Sequence, residues 1–78
     1  MTPQYSKQAN KFLDSQDDDT YNRIKSAVRK LPMGDVKKLQ GYKDKYRLRV
    51  GSFRVIFKRI GQNMYHVEAI DNRGQVYK

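Results

Sequence analysis

A chain of 78 residues can bury one modest core and not two, so residues 1–78 are expected to form a single domain. The absence of cysteine excludes disulfide staples and thiolate metal sites, and no apolar run approaches the roughly 18 residues of a membrane span. A formal net charge of +9 points to a polyanionic partner.

Gln4 and Tyr5 can pair as a first strand, which Pro3 confines to an edge or a short stub. Ser6 is placed to cap a first helix with Ala9, Phe12 and Leu13 on one face. Asp17, Asp18 and Asp19 then stand where the positive end of a second helix favours carboxylates. That structural role is preferred to a metal site, because consecutive carboxylates at a helix start rarely converge on one ion. Tyr21, Ile24, Ala27, Val28 and Leu31 follow helical spacing, Arg29 and Lys30 suit the negative end, and Pro32 and Gly34 stop it. Two helices, each with one apolar stripe, need a surface to cover.

Charge is unevenly placed. Residues 37–59 hold nine basic side chains against the single acid Asp44, whereas the segments before and after are nearly balanced. Within that stretch the hydrophobic period changes from helical to two. Tyr46-Arg-Leu-Arg-Val50 and Phe53-Arg-Val-Ile-Phe57 flank Gly51-Ser52, a two-residue loop suited to a type II′ hairpin. The loop fixes the register: Val50 faces Phe53, Arg49 faces Arg54, Leu48 faces Val55, and Arg47 faces Ile56. Tyr46, Leu48, Val50, Phe53, Val55 and Phe57 then share a core face. Lys45, Arg47, Arg49, Arg54, Ile56 and Lys58 share the other. Like charges directly across an antiparallel pair are destabilising, so Arg49 against Arg54 and Lys45 against Lys58 are costly without an anion. The pattern favours a phosphate-binding surface over an ordinary solvated face, which mixes charge signs.

A third strand is expected over Met64–Ile70, after a loop at residues 61–63. In that register Val67 faces Phe57, Ala69 faces Val55, and His66 and Glu68 join the basic face. His66, the only histidine, has at most a minor chemical role, and Glu68 is expected to pair with a neighbouring arginine. Asp71-Asn-Arg-Gly74 is a turn signal before a short ending at Gln75-Val-Tyr77.

The chain resembles the RelE branch of the RelE/ParE toxin superfamily. Ser6-Lys-Gln-Ala-Asn-Lys-Phe-Leu13, Gly34-Asp-Val-Lys-Lys-Leu-Gln-Gly-Tyr42, Tyr46 to Phe57 and Asn72-Arg-Gly-Gln-Val-Tyr77 carry the likeness. The hairpin motif combined with the closing Arg-x-x-x-Tyr is its most specific part. The resemblance implies an α+β fold with two N-terminal helices packed on one face of a small, mainly antiparallel β-sheet. It also implies metal-independent cleavage of mRNA in the ribosomal A site, no cofactor, and neutralisation by a cognate antitoxin. Carried over by position, the family's catalytic residues correspond to Arg47, Arg49, Arg54, Arg73 and Tyr77. Where the family often carries lysine, this chain has Arg47 and Arg49, which cannot give up a proton.

RNA brings its own nucleophile, the 2′-hydroxyl, so the protein need only position and stabilise. Arg47, Arg49 and Arg54 offer planar donor forks to the phosphate, and Arg73 would orient it. Tyr77 can act as a base, its phenolate favoured by nearby guanidiniums, or can stack a nucleobase. Lys43, Lys45 and Lys58 extend the RNA-binding surface. The expected partners are the ribosome, mRNA and an antitoxin with an acidic segment, and not a membrane. Without the apolar core of a signal peptide at the N-terminus, the expected location is the cytoplasm. Two other classes share the fold or the charge: a ParE-like inhibitor of DNA gyrase, and a catalytically inactive RNA-binding relative.

Overall fold

The computed structural model describes residues 3–62 and 64–72. Ser6 accepts a hydrogen bond from the Ala9 amide and so starts α1 (Lys7–Asp14). Asp17 does the same for α2 (Asp18–Arg29) by accepting from the Thr20 amide, with Asp18 and Asp19 in the first turn and Arg29 in the last. The acidic run is therefore a helix start, as its position in the sequence implied. Hydrogen bonds from the backbone of Thr20 hold the Asp17 carboxyl below the ordinary carboxylate pKa.

Among the described residues five strands make one sheet in the order β1-β5-β4-β3-β2. They are β1 (Gln4–Tyr5), β2 (Asp35–Lys38), β3 (Lys45–Val50), β4 (Phe53–Gly61) and β5 (Met64–Asn72). All pairings are antiparallel except β1 with β5, which is parallel. The expected architecture is present: two helices against one face of a mainly antiparallel sheet. Pro3 lies just outside the two-residue edge strand, consistent with its missing amide donor.

The hairpin register is the one the Gly51-Ser52 loop dictates, with Arg49 opposite Arg54 and Lys45 opposite Lys58. Gly51 has φ of 60°, the conformation required at the first position of a type II′ turn. Behind the hairpin, Leu48, Val55 and Phe57 are buried with Ala9, Leu13, Ile24, Val28, Val67 and Ile70. Phe57 stacks on Tyr46 and meets the edge of Tyr65, both at 5.5 Å between ring centroids.

Besides the loop expected at residues 61–63, which loses Gly61 to β4 where it pairs with Met64, the sequence reading needs correction at two points. First, Asp35–Lys38 forms a strand that the period-two pattern does not reveal, since Val36 is its only apolar residue. Second, Val55 faces Ile70 and not Ala69. Partners step from Phe57–Val67 to Ile56–Ala69, so Glu68 is an extra residue, a β-bulge. An unbroken ladder would turn Ile70 out to the polar face. Burying such a side chain stabilises by about 1.5–3 kcal/mol, more than the roughly 0.5–1.5 kcal/mol of one ladder hydrogen bond. The helix also compensates the broken ladder. Ser6 Oγ donates to the Glu68 carbonyl at 2.6 Å, and the Gln8 side-chain amide both donates to and accepts from the Ile70 backbone.

Candidate nucleic-acid interface

Cross-strand partners share a face, so the register builds the outer surface of the sheet row by row. The first row runs Asp35, Arg49, Arg54, Asp71 across β2, β3, β4 and β5. The next holds Lys37, Arg47, Ile56 and Ala69, and a third holds Lys45, Lys58, His66 and Gln4. Arg47, Arg49, Arg54, Lys45, Lys58 and His66 are thus brought onto one surface, as the alternation of the strands requires. Lys43 lies beside it in the exposed loop between β2 and β3. Arg73 and Tyr77 lie outside the described residues, as does the expected ending at 75–77; of the turn expected over Asp71–Gly74, Asp71 and Asn72 are instead the last residues of β5.

The surface carries more acid than the sequence reading placed on it, which was Glu68 alone. Six cations, Lys37, Lys45, Arg47, Arg49, Arg54 and Lys58, meet three carboxylates. Arg54 Nη2 donates to Asp71 Oδ2 at 2.8 Å, Arg47 Nη2 stands 3.8 Å from Asp35, and Lys45 Nζ is 3.1 Å from Glu68. Glu68 therefore partners a lysine and not an arginine. The bulge is what delivers Asp71 to Arg54, because without it position 71 falls out of register with position 54. The apolar spacing in β5 carries a signal for this: Tyr65 and Val67 are two apart, Val67 and Ile70 three apart.

The arginines are nonetheless only partly satisfied. Arg47 is 15% exposed, and its Nη1 is buried without a hydrogen-bond partner among the described residues. The same holds for Arg54 Nε. Asp71 Oδ1 and Asn72 Oδ1 are buried without a partner among the described residues in the same way, and each such orphaned atom costs about 1–3 kcal/mol. Arg49 is exposed at the centre of the first row and takes part in none of the ion pairs. At the far end of the surface Lys45 also lies over the ring of Tyr42, 4.8 Å from its centroid, and that ring is 54% exposed. An exposed tyrosine beside a cation suits a stacked nucleobase.

Compared by sequence, the chain matches no family model and no curated protein. Compared by structure, it is similar to a chain of the RelB–RelE antitoxin–toxin complex from Methanococcus jannaschii. The TM-score is 0.74 at 23% identity, over 95% of this chain and 94% of that one. This chain has the RelE-type fold. A second similar structure is the archaeal RelE–RelB complex from Pyrococcus horikoshii OT3, with TM-score 0.69, 26% identity and 94% of each chain covered. The RelE likeness read from the hairpin and the flanking motifs thus extends over almost the whole chain. Within the RelE fold the arginine surface occupies the face of the sheet that the two helices leave uncovered.

Proposed function

We propose that this chain is the toxin of a toxin–antitoxin system, an endoribonuclease that cuts mRNA in the ribosomal A site without a metal. The observation that carries the reading is the convergence of Arg47, Arg49 and Arg54 on one face of a RelE-type fold. Such a surface binds phosphate, and phosphoryl transfer needs little else from a protein than positioning and charge.

In the proposed reaction the 2′-oxygen attacks the adjacent phosphorus and the bond to the 5′-oxygen breaks. The departing 5′-oxygen takes a proton from water, and the products are a 2′,3′-cyclic phosphate and a 5′-hydroxyl. Negative charge grows on the non-bridging oxygens, where the arginine forks donate. Arg73 orients the phosphate, and Tyr77 either takes the 2′-proton or stacks a base. Lys43, Lys45 and Lys58 hold the flanking RNA, and His66 has at most a minor part. The ribosome as partner implies the cytoplasm as the place of action.

The inhibitory partner follows from the same charge. An antitoxin with an acidic segment covers this face by placing carboxylates where phosphates would sit. The Arg54–Asp71 pair is an intramolecular version of that contact.

The test is to add the purified protein to translating ribosomes and map mRNA ends by primer extension. Codon-spaced cuts at the A site are expected. Intact mRNA with inhibited gyrase supercoiling would overturn the ribonuclease reading in favour of a gyrase inhibitor, and intact mRNA with retained RNA binding in favour of an inactive relative.

A further inference from the structure

The tip of the β3–β4 hairpin holds a cation that the sheet face does not account for. A Cβ placed on Gly51 would lie 3.1 Å from Arg23 Nη2. The guanidinium from α2 is therefore seated against the turn, in space that a glycine leaves. Arg23 has Asp19 four residues before it, the usual position of an intrahelical partner, yet the two form no ion pair. Its charge is directed to the hairpin instead.

Asn22, Arg23, Ser26 and Lys30 follow spacings of three and four along one side of α2. Opposite them stand Asp35 of β2 and Arg49 of β3, and the space between is a groove of about 480 Å³. Arg23 and Lys30 supply two cations to it from the side of α2, against the carboxylate of Asp19; strand alternation turns the side chains of Asp35 and Arg49 towards the outer face, so these two bound the groove at its edge. Asp35 is also drawn towards Arg47. Met33, 71% exposed, gives the groove an apolar and polarisable lip. Arg49 belongs to two surfaces: it stands in the row with Arg54, and it lines the groove.

We propose that this groove is a second RNA-binding subsite, which takes phosphates of the single strand where it leaves the arginine face past Arg49. The inference rests on the ribonuclease reading and adds to it a path for the RNA around the edge of the sheet. Arg23 and Lys30 are seven residues apart, about 10.5 Å along the helix axis. Asn22 and Ser26 between them offer neutral hydrogen-bond donors to the backbone.

The test uses fluorescein-labelled oligouridylates of two lengths, one that covers only the sheet face and one longer by roughly 4 nucleotides. Wild type is expected to bind the longer strand more tightly. The double variant Arg23→Ala/Lys30→Ala is expected to lose that advantage, by about threefold to tenfold, while its affinity for the short strand and its melting temperature hold. The salt slope for the long strand should fall in magnitude by about 1.4, from roughly 0.7 per lost phosphate contact. Arg23→Lys/Lys30→Arg, which keeps both charges, is expected to retain the length advantage. An undiminished length advantage in the double alanine variant would overturn the subsite and leave the ribonuclease reading standing. Failure of wild type to bind either strand would overturn the subsite, while the ribonuclease reading stands or falls separately by its cuts on translating ribosomes. Binding of oligoglutamate that depends on Arg23 and Lys30, with no such dependence for RNA, would reassign the groove to an acidic protein partner and overturn the proposal.

Discussion

Replacing Asp71 by Asn should move stability and RNA affinity in opposite directions. Asp71 accepts from Arg54 at 2.8 Å, but its side chain is 42% exposed and that of Arg54 31%, so solvent screens the pair. Exposed ion pairs of this kind contribute about 0.2–1 kcal/mol, and Asn at 71 keeps an acceptor for the guanidinium. A fall in Tm of no more than about 8 °C is therefore expected for a domain of this size. Binding responds differently. A phosphate seated between Arg49 and Arg54 lies about one and a half strand spacings, roughly 7 Å, from position 71. One unit of repulsion at that distance amounts to about 0.6 kcal/mol in bulk water and about 2.4 kcal/mol at an effective dielectric constant of 20. The exposure of Asp71 favours the lower figure, so Asp71→Asn should bind single-stranded RNA at least about threefold more tightly. Fluorescence anisotropy and circular-dichroism melts on the same preparation give the two numbers. Affinity that is unchanged, or that falls along with stability, would refute a phosphate site at Arg54.

Three further predictions follow from single contacts. Arg54→Ala should lower the cleavage rate by about 10²–10³ with folding intact, measured under single-turnover conditions on ribosome-bound mRNA. Ser6→Ala removes both the α1 cap and the hydroxyl donor to the Glu68 carbonyl, together about 2 kcal/mol, and should lower Tm by about 8–16 °C; a shift below the value for a cap alone would deny the bulge contact. Burial pushes the Tyr5 phenol up to about 12 from 10.0, against a smaller opposing influence of Arg29. Below pH 10 both the folded and the unfolded chain hold that proton; between 10 and about 12 the unfolded chain loses it first, so stability falls as pH rises through that window. Tyr5→Phe should flatten this alkaline loss in pH-dependent melts, and an unchanged slope would assign it to other groups.

The hairpin and its two faces were legible because local rules decide them. A two-residue loop with glycine in the left-handed region fixes the register, and strict alternation does the rest. The helix starts were legible for the same reason, since Ser6 and Asp17 cap by contacts only three residues long. The strand at Asp35–Lys38 was hidden because an edge strand needs little apolar surface, and its charges protect the open edge. The bulge at Glu68 leaves only the three-residue step from Val67 to Ile70 in the local pattern, because the contacts that hold it come from Ser6 and Gln8, some 62 residues away in sequence. Its consequence was the largest change to the site: Asp71 comes to Arg54, and a surface on which Glu68 was the one expected acid carries further acids at both ends of its first row. Arg23 escaped notice likewise, because its place at the hairpin tip depends on how α2 packs on the sheet.

The central claim is that the arginine face promotes attack by the 2′-hydroxyl of bound mRNA. It is tested most directly by an mRNA carrying one 2′-deoxynucleotide at the mapped cut position, presented on the ribosome beside its all-ribose counterpart. The all-ribose message should be cut to a 2′,3′-cyclic phosphate end and the substituted one should stay intact at that position. Equal cleavage of both, or no cleavage of either, would contradict it.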